Sequence, residues 1–240
     1  MRDRVSALLR ALASIFWLCV AAMILSNPAA IAKEELLTKS LPQSTFSAVS
    51  IRIPADIELR PSTQDHVNVS AEAKVIAALK ITVRGDTLIV DAGSFETTKP
   101  VKIVIEAKNL RSLAVESSAT IVLTALTSER FSVKSNSSAT VTLKQLATDQ
   151  LKIVTSGSET IKVAGRTRTF DVDVGGSSEI DASALDAQTV NAKASGASTA
   201  RVRSSVDLLA TASDSATITY QGKGRVKKQV SDVGEVTRSN

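Results

Sequence analysis

ESSATIVL (116–123), NSSATVTL (136–143), SGSETIKV (156–163), GGSSEIDA (175–182), SGASTARV (195–202), SDSATITY (213–220) and SDVGEVTR (231–238) are seven copies of one phrase. In each, a cluster of small polar residues precedes an apolar one: Ile121, Val141, Ile161, Ile180, Ala200, Ile218 and Val236. The spacings between these are 20, 20, 19, 20, 18 and 18 residues. A fixed period of this size is the signature of a stacked-repeat architecture. Before each cluster runs a short alternation: Leu113 and Val115, Phe131 and Val133, Leu151 and Ile153, Phe170 and Val172, Val190 and Ala192. Period-two alternation buries one face of a strand and wets the other. The Ser, Gly, Asn and Asp clusters supply the turn, because these residues tolerate tight or left-handed backbone. A second alternating run follows each turn, as in Ile121 and Leu123 or Val141 and Leu143. A lone apolar residue then marks a far corner at Leu126, Leu146, Leu185 and Val206; in the third copy Arg166 stands where its neighbours place leucine.

Two strands and a corner in about twenty residues are too few for a βαβ unit, which needs roughly thirty. No 3.6-residue periodicity appears. The predicted fold is all-β: a single-chain, right-handed parallel β-helix of 18–20-residue rungs. Each strand would pair with its equivalent one rung on, about 4.8 Å away, so that like residues meet in columns. An antiparallel sandwich would also explain the strands and turns. It would not explain why the two strands of each unit differ from one another while matching those of the next.

The first half of the chain is less regular. Alternation begins at Phe46 and continues through Val49, Ile51, Ile53, Ile57 and Leu59. Residues 71–80 read as one short helix or an extended crossing, ITVRGDTLIV (81–90) as a hairpin, and VKIVI (101–105) as a further strand. Solenoids need an atypical end that covers the open core. Residues 46–110 are therefore expected to form irregular opening coils and a cap, 111–240 the regular rungs, all in one domain over 46–240, preceded by a flexible lead at 33–45.

The first 32 residues are of another kind. Arg2, Arg4 and Arg10 precede an apolar run over 11–25, followed by Asn27, Pro28 and Ala30-Ile31-Ala32. That is the layout of a secretory signal peptide with cleavage between Ala32 and Lys33. As a helix the run reaches only about 22 Å, short of a hydrocarbon core of roughly 30 Å. Cleavage would remove Arg2, Asp3, Arg4 and Arg10, lowering the net charge from +5 to +3, and would remove Cys19, the only cysteine. The mature chain would then have no disulfide, thiolate metal site or cysteine nucleophile, and its location would be the periplasm or cell surface.

The phrase FSAVSIRIPADIELRPS (46–62), the ITVRGDTLIV hairpin, NLRSLAVESSAT (109–120) and the serine-rich turns together resemble a bacterial family, the putative auto-transporter adhesin, head GIN domain. The likeness spans about residues 46–236. It implies an exported β-helix and brings no catalytic residues. Family turns of the Ser-Gly-Ala-Gly kind drift here to Ser-Ser-Ala-Thr and Ser-Gly-Ser-Glu. The repeats run to Val236 in a sequence that reaches Asn240, so the C-terminal barrel of a self-exporting autotransporter is not expected.

For chemistry the residues offer little. His66 is the only histidine, in an expected turn. No nucleophile elbow, P-loop or dinucleotide pattern is present. The best catalytic candidate is an exposed acidic cluster, Asp171, Asp173, Glu179 and Asp181, of a kind that a carbohydrate-active β-helix would use as an acid/base pair or to hold calcium; Lys152 and Lys193 on adjoining rungs offer these carboxylates ordinary partners. The Thr column Thr120, Thr140, Thr160, Thr199 and Thr217 suits exposed strand positions. The expected role is a non-enzymatic binding or structural module of the cell envelope, adhesin-like. It would need no metal or cofactor, and its partner would be an envelope or extracellular polymer or protein. Nucleic acid is not expected as a partner, membrane contact would come only through an uncleaved signal peptide, and self-association of solenoid ends is a further expectation.

Overall fold

The computed structural model describes residues 37–42 and 44–239, so the signal segment and its cleavage point lie outside the described residues. The regular part is built of β8 (Ser112–Val115), β9 (Thr120–Leu123), β10 (Leu126–Ser135), β11 (Thr140–Thr155), β12 (Thr160–Val174), β13 (Glu179–Ala194), β14 (Thr199–Ala212), β15 (Thr217–Gln221), β16 (Arg225–Val230) and β17 (Glu235–Arg238). All of their pairings are parallel, each strand against its equivalent one rung on. The architecture is the expected parallel β-helix.

The register confirms the predicted column. Ile121 faces Val141, then come Ile161, Ile180, Ala200, Ile218 and Val236, each opposite the next. All seven are buried. A second column runs Leu113, Val133, Ile153, Val172, Ala192, Ala210. Each buried Val, Leu or Ile contributes roughly 1.5–3 kcal/mol, and none could be buried by a single rung. Alanine fills the later part of the stack, from Ala192 and Ala194 in a 20-residue rung to Ala210 and Ala212 in an 18-residue one, with Ala200 between them; all five are buried. At position 228 the second column ends in a lysine. Its stem lies across the last described rung, with Nζ donating to the Val236 carbonyl at 2.8 Å and sitting 5.0 Å from the Tyr220 ring centre.

Two corner assignments change. The leucine column Leu126, Leu146, Leu185 is completed by Gly165, and Arg166 instead pairs with Ala147 and Asp186 and points outward. That rung is one residue shorter, and the chain makes up the difference at Gly165, with φ +134°. A Cβ there would lie 2.2 Å from the Leu146 carbonyl oxygen. Likewise Val206 is 48% exposed, and the buried residue at that corner is Ser204, which lies opposite Ala187 in the Thr148–Thr167 file rather than in the leucine column. Its hydroxyl lies 2.7 Å from the Asp207 carbonyl and 2.9 Å from that of Gln188. A rung shortened to 18 residues turns this corner on a small hydrogen-bonded side chain.

The opening half contains β1 (Leu37–Pro42), β2 (Ala48–Ile51), β3 (Asp56–Pro61), β4 (His66–Ala71), α1 (Ala73–Ala78), β5 (Leu79–Arg84), β6 (Thr87–Ala92) and β7 (Lys102–Ala107). The predicted 81–90 hairpin is β5–β6, and 71–80 holds the short helix. The coils are stacked out of chain order. β2 pairs with β6 on one edge and β8 on the other, and β3 pairs with β7 and β9. The first coil is thus second in the stack. β4 and β5 then run antiparallel along β7 and β6, and Val75 of α1 is fully buried beneath them. This antiparallel layer ends the parallel ladder. The flexible lead expected over 33–45 does not hold for 37–42: β1 pairs antiparallel with β4 in register from Leu37↔Ala71 to Pro42↔His66, because the outer edge of β4 offers it a ladder of backbone groups.

The turns stack too. Inward at the turn come Ala119, Ala139, Glu159, Ser178, Ser198 and Ala216, all at most 1% exposed. Glu159 stands out. Its carboxylate accepts from the Ser137 N–H at 2.6 Å, the Gly157 N–H at 3.1 Å and the Ser178 hydroxyl at 2.6 Å. Burial pushes its pKa up, but the Ser178 hydroxyl, the Ser137 N–H, its own N–H and the Ser135 hydroxyl outweigh that and hold it below the usual carboxylate range. Gly157 is required beside it, since a Cβ there would lie 2.2 Å from the Ser137 carbonyl and 2.9 Å from the Glu159 carboxylate.

Two outcomes are expected. Ile161→Ala will lower stability by about 2–5 kcal/mol in denaturant melts, and Ile161→Asp by more, because it buries an unpaired carboxylate. A depressed carboxylate pKa adds stability that is present above the unfolded-state pKa and lost as pH falls through the folded one. Wild type will therefore lose more stability between pH 7 and pH 3 than Glu159→Gln does, and the difference between the two curves reports this one group.

Candidate functional site

The four acidic candidates occupy two different faces. Asp171 and Asp173 lie on the outer side of the β12 segment that leads into the turn. In register, Asp171 stands between Lys152 and Asn191, and Asp173 between Val154 and Lys193. Glu179 and Asp181 lie beyond the turn, on the face that begins β13. Glu179 forms an ion pair with Arg201. Asp181 accepts from the Ser183 hydroxyl at 2.6 Å and the Ser183 N–H at 3.1 Å, and the hydroxyl is the main cause of its lowered pKa. The cluster adjacent in sequence is thus split by a turn between two faces. Among the described residues no group of three or more His, Cys, Asp or Glu is placed to hold a metal ion.

His66 opens β4 rather than sitting in a turn. Its Nε2 meets the Ser40 hydroxyl, which donates to Asn68 Oδ1 at 2.8 Å. With its proton directed at Asn68, Ser40 accepts from the imidazole rather than being activated by it. The arrangement fastens β1 to β4; it is not a nucleophile–base pair.

A larger concavity than that beside Asp171 and Asp173 lies elsewhere, on the outside of the corner next to the leucine column. It is an open groove of about 560 Å³. One rim is the outward column Thr127, Ala147, Arg166, Asp186. The other is formed by Glu129, Asp149, Arg168 and Gln188, which fall between ladder-paired neighbours and are exposed. The floor is a buried hydroxyl pair, Thr148 Oγ1 to Thr167 Oγ1 at 3.1 Å, with Thr167 held to the Thr169 carbonyl at 3.0 Å. The acidic candidates contribute nothing to it. The signal that could have found it was Arg166, which broke the leucine pattern at a rung whose corner is made by glycine.

With fold and surface described, the comparisons are decisive for kinship. Residues 45–224 match the family described as "Putative auto-transporter adhesin, head GIN domain". The chain belongs to that family. Solved structures share its fold. A putative adhesin from Bacteroides fragilis has a TM-score of 0.79 at 17% identity, covering 86% of this chain and 98% of that one. A putative lipid binding protein from Parabacteroides distasonis has a TM-score of 0.71 at 18% identity, covering 87% and 98%. A putative adhesin from Parabacteroides merdae has a TM-score of 0.67 at 20% identity, again covering 87% and 98%. No curated protein matches the sequence. At these identities the solved structures speak to the fold alone.

Gly165 makes the tight corner beside the groove, and its replacement tests that corner. Gly165→Ala is expected to cost about 1–3 kcal/mol, since it meets both an unfavourable φ and the Leu146 backbone; a thermal melt indistinguishable from wild type would contradict the tight corner.

Proposed function

We propose that this chain is an exported, non-enzymatic binding module of the cell envelope, adhesin-like in role. One observation carries the reading: the described structure is a stack of rungs whose outer surface carries polar columns and open grooves, while the acidic candidates Asp171, Asp173, Glu179 and Asp181 are divided between two faces. Catalysis needs a nucleophile, base and charge stabiliser within reach of one another; adhesion needs an extended surface of fixed shape. Family membership supports the same role. The basic lead, the apolar run over 11–25 and Ala30-Ile31-Ala32 support export, with the mature chain starting at Lys33.

The test has two parts. Protein recovered from the envelope fraction of a bacterium expressing the full chain should begin at Lys33 by N-terminal sequencing; recovery in the cytoplasm with Met1 intact would refute export. Incubated with a panel of purified envelope and extracellular polysaccharides, the chain should be retained on at least one and shorten none. Chain cleavage that disappears in Asp173→Ala would replace this reading with a carbohydrate-active enzyme.

A further inference from the structure

We infer that the corner groove binds an extended heteropolysaccharide along the solenoid axis, with one acidic sugar seated at Arg166 and Arg168 between neutral neighbours. The inference rests on the adhesin-like reading and names the ligand class for it.

The first argument is spacing. The groove crosses four successive rungs, and equivalent residues repeat about every 4.8 Å along it. That is close to the length of one pyranose unit in an extended glycan. Each rung therefore presents its own polar set to one sugar. In order these are Thr127 with Glu129, then Asp149, then Arg166 with Arg168, then Asp186 with Gln188.

The second argument is charge. Arg166 and Arg168 flank buried Thr167, so one rung presents an exposed arginine on each rim of the groove. Asp149 and Asp186 stand on the rungs to either side. Among the described residues none of these four, nor Glu129, is in an ion pair within 4.0 Å. Elsewhere the same fold does join charges across adjoining rungs, as in Arg201 with Glu179 and Arg225 with Asp207. The groove charges are thus left to an outside partner. Two guanidinium forks on one rung suit a carboxylate, which each can take in bidentate fashion. The carboxylates on the flanking rungs accept sugar hydroxyls and repel a second anion one unit away. No aromatic side chain lines the groove, so recognition falls to hydrogen bonds and charge rather than stacking.

The experiment uses three glycans on purified full-length mature chain: hyaluronan, with uronate at alternate sugars; polygalacturonate, with uronate at every sugar; and dextran, which is neutral. Hyaluronan should bind most tightly by calorimetry. Arg166→Ala and Arg168→Ala should each weaken it by about tenfold or more, with unchanged thermal melts. Asp149→Asn should raise affinity for polygalacturonate. Equal binding of hyaluronan by the wild type and both arginine variants, tighter binding of polygalacturonate or dextran than of hyaluronan, or no binding of any of the three would each overturn the inference. The polysaccharide panel runs in parallel with the Arg166→Ala/Arg168→Ala double variant. Equal retention of wild type and double variant sinks the groove and leaves the adhesin-like reading standing; retention of neither on any polymer sinks that reading itself.

Discussion

Hydrogen bonding between equivalent residues of successive rungs governs this molecule. Because each backbone position bonds to its counterpart one rung away, every side chain is stacked on side chains of the same position. Column members must therefore agree in size and polarity, or the neighbours must adapt. Ile121 through Ile180 agree. Glu159 does not, and the structure accommodates it with donors from Ser137, Gly157 and Ser178 together with the missing side chain of Gly157. Gly165 and Ser204 are accommodations of the same sort, forced by rungs one or two residues short.

The same rule sets the outer surface. Outward residues repeat at the rung spacing in straight files, so charges are distributed along lines rather than gathered around a centre. Residues close in sequence are separated as soon as a turn intervenes, as between Asp173 and Glu179. Residues about twenty apart become neighbours, as do Asp149 and Arg168. A surface organised in this way measures length along one axis, which suits a linear partner.

Much of this could be read from the residues. Spacing gave the rungs, alternation gave the buried columns, and composition gave the turns. The cap was visible as a loss of regularity. What escaped had no local signature. Parallel pairing leaves no trace of which strand lies beside which, so nothing in 46–62 announces that its coil is second in the stack. β1 is polar and its partner lies nearly thirty residues on, which is why a flexible lead was the natural reading. Arg166 was noticed as a break in pattern, but assigning its column required knowing that the preceding glycine had taken the leucine's place. The groove followed from that single shift in register.

The interleaved opening coils bear on how the chain comes to be folded. Val49 must wait for Leu88 on one side and for Leu113 on the other. While the polypeptide emerges N-terminus first, its earliest coil has no completed neighbour until the chain has reached Ala107. Rungs further along need only the one before them. The capped end thus assembles late and through distant partners, while the remainder extends by short steps from it, a separation of slow initiation from rapid growth built into the threading of the first two coils.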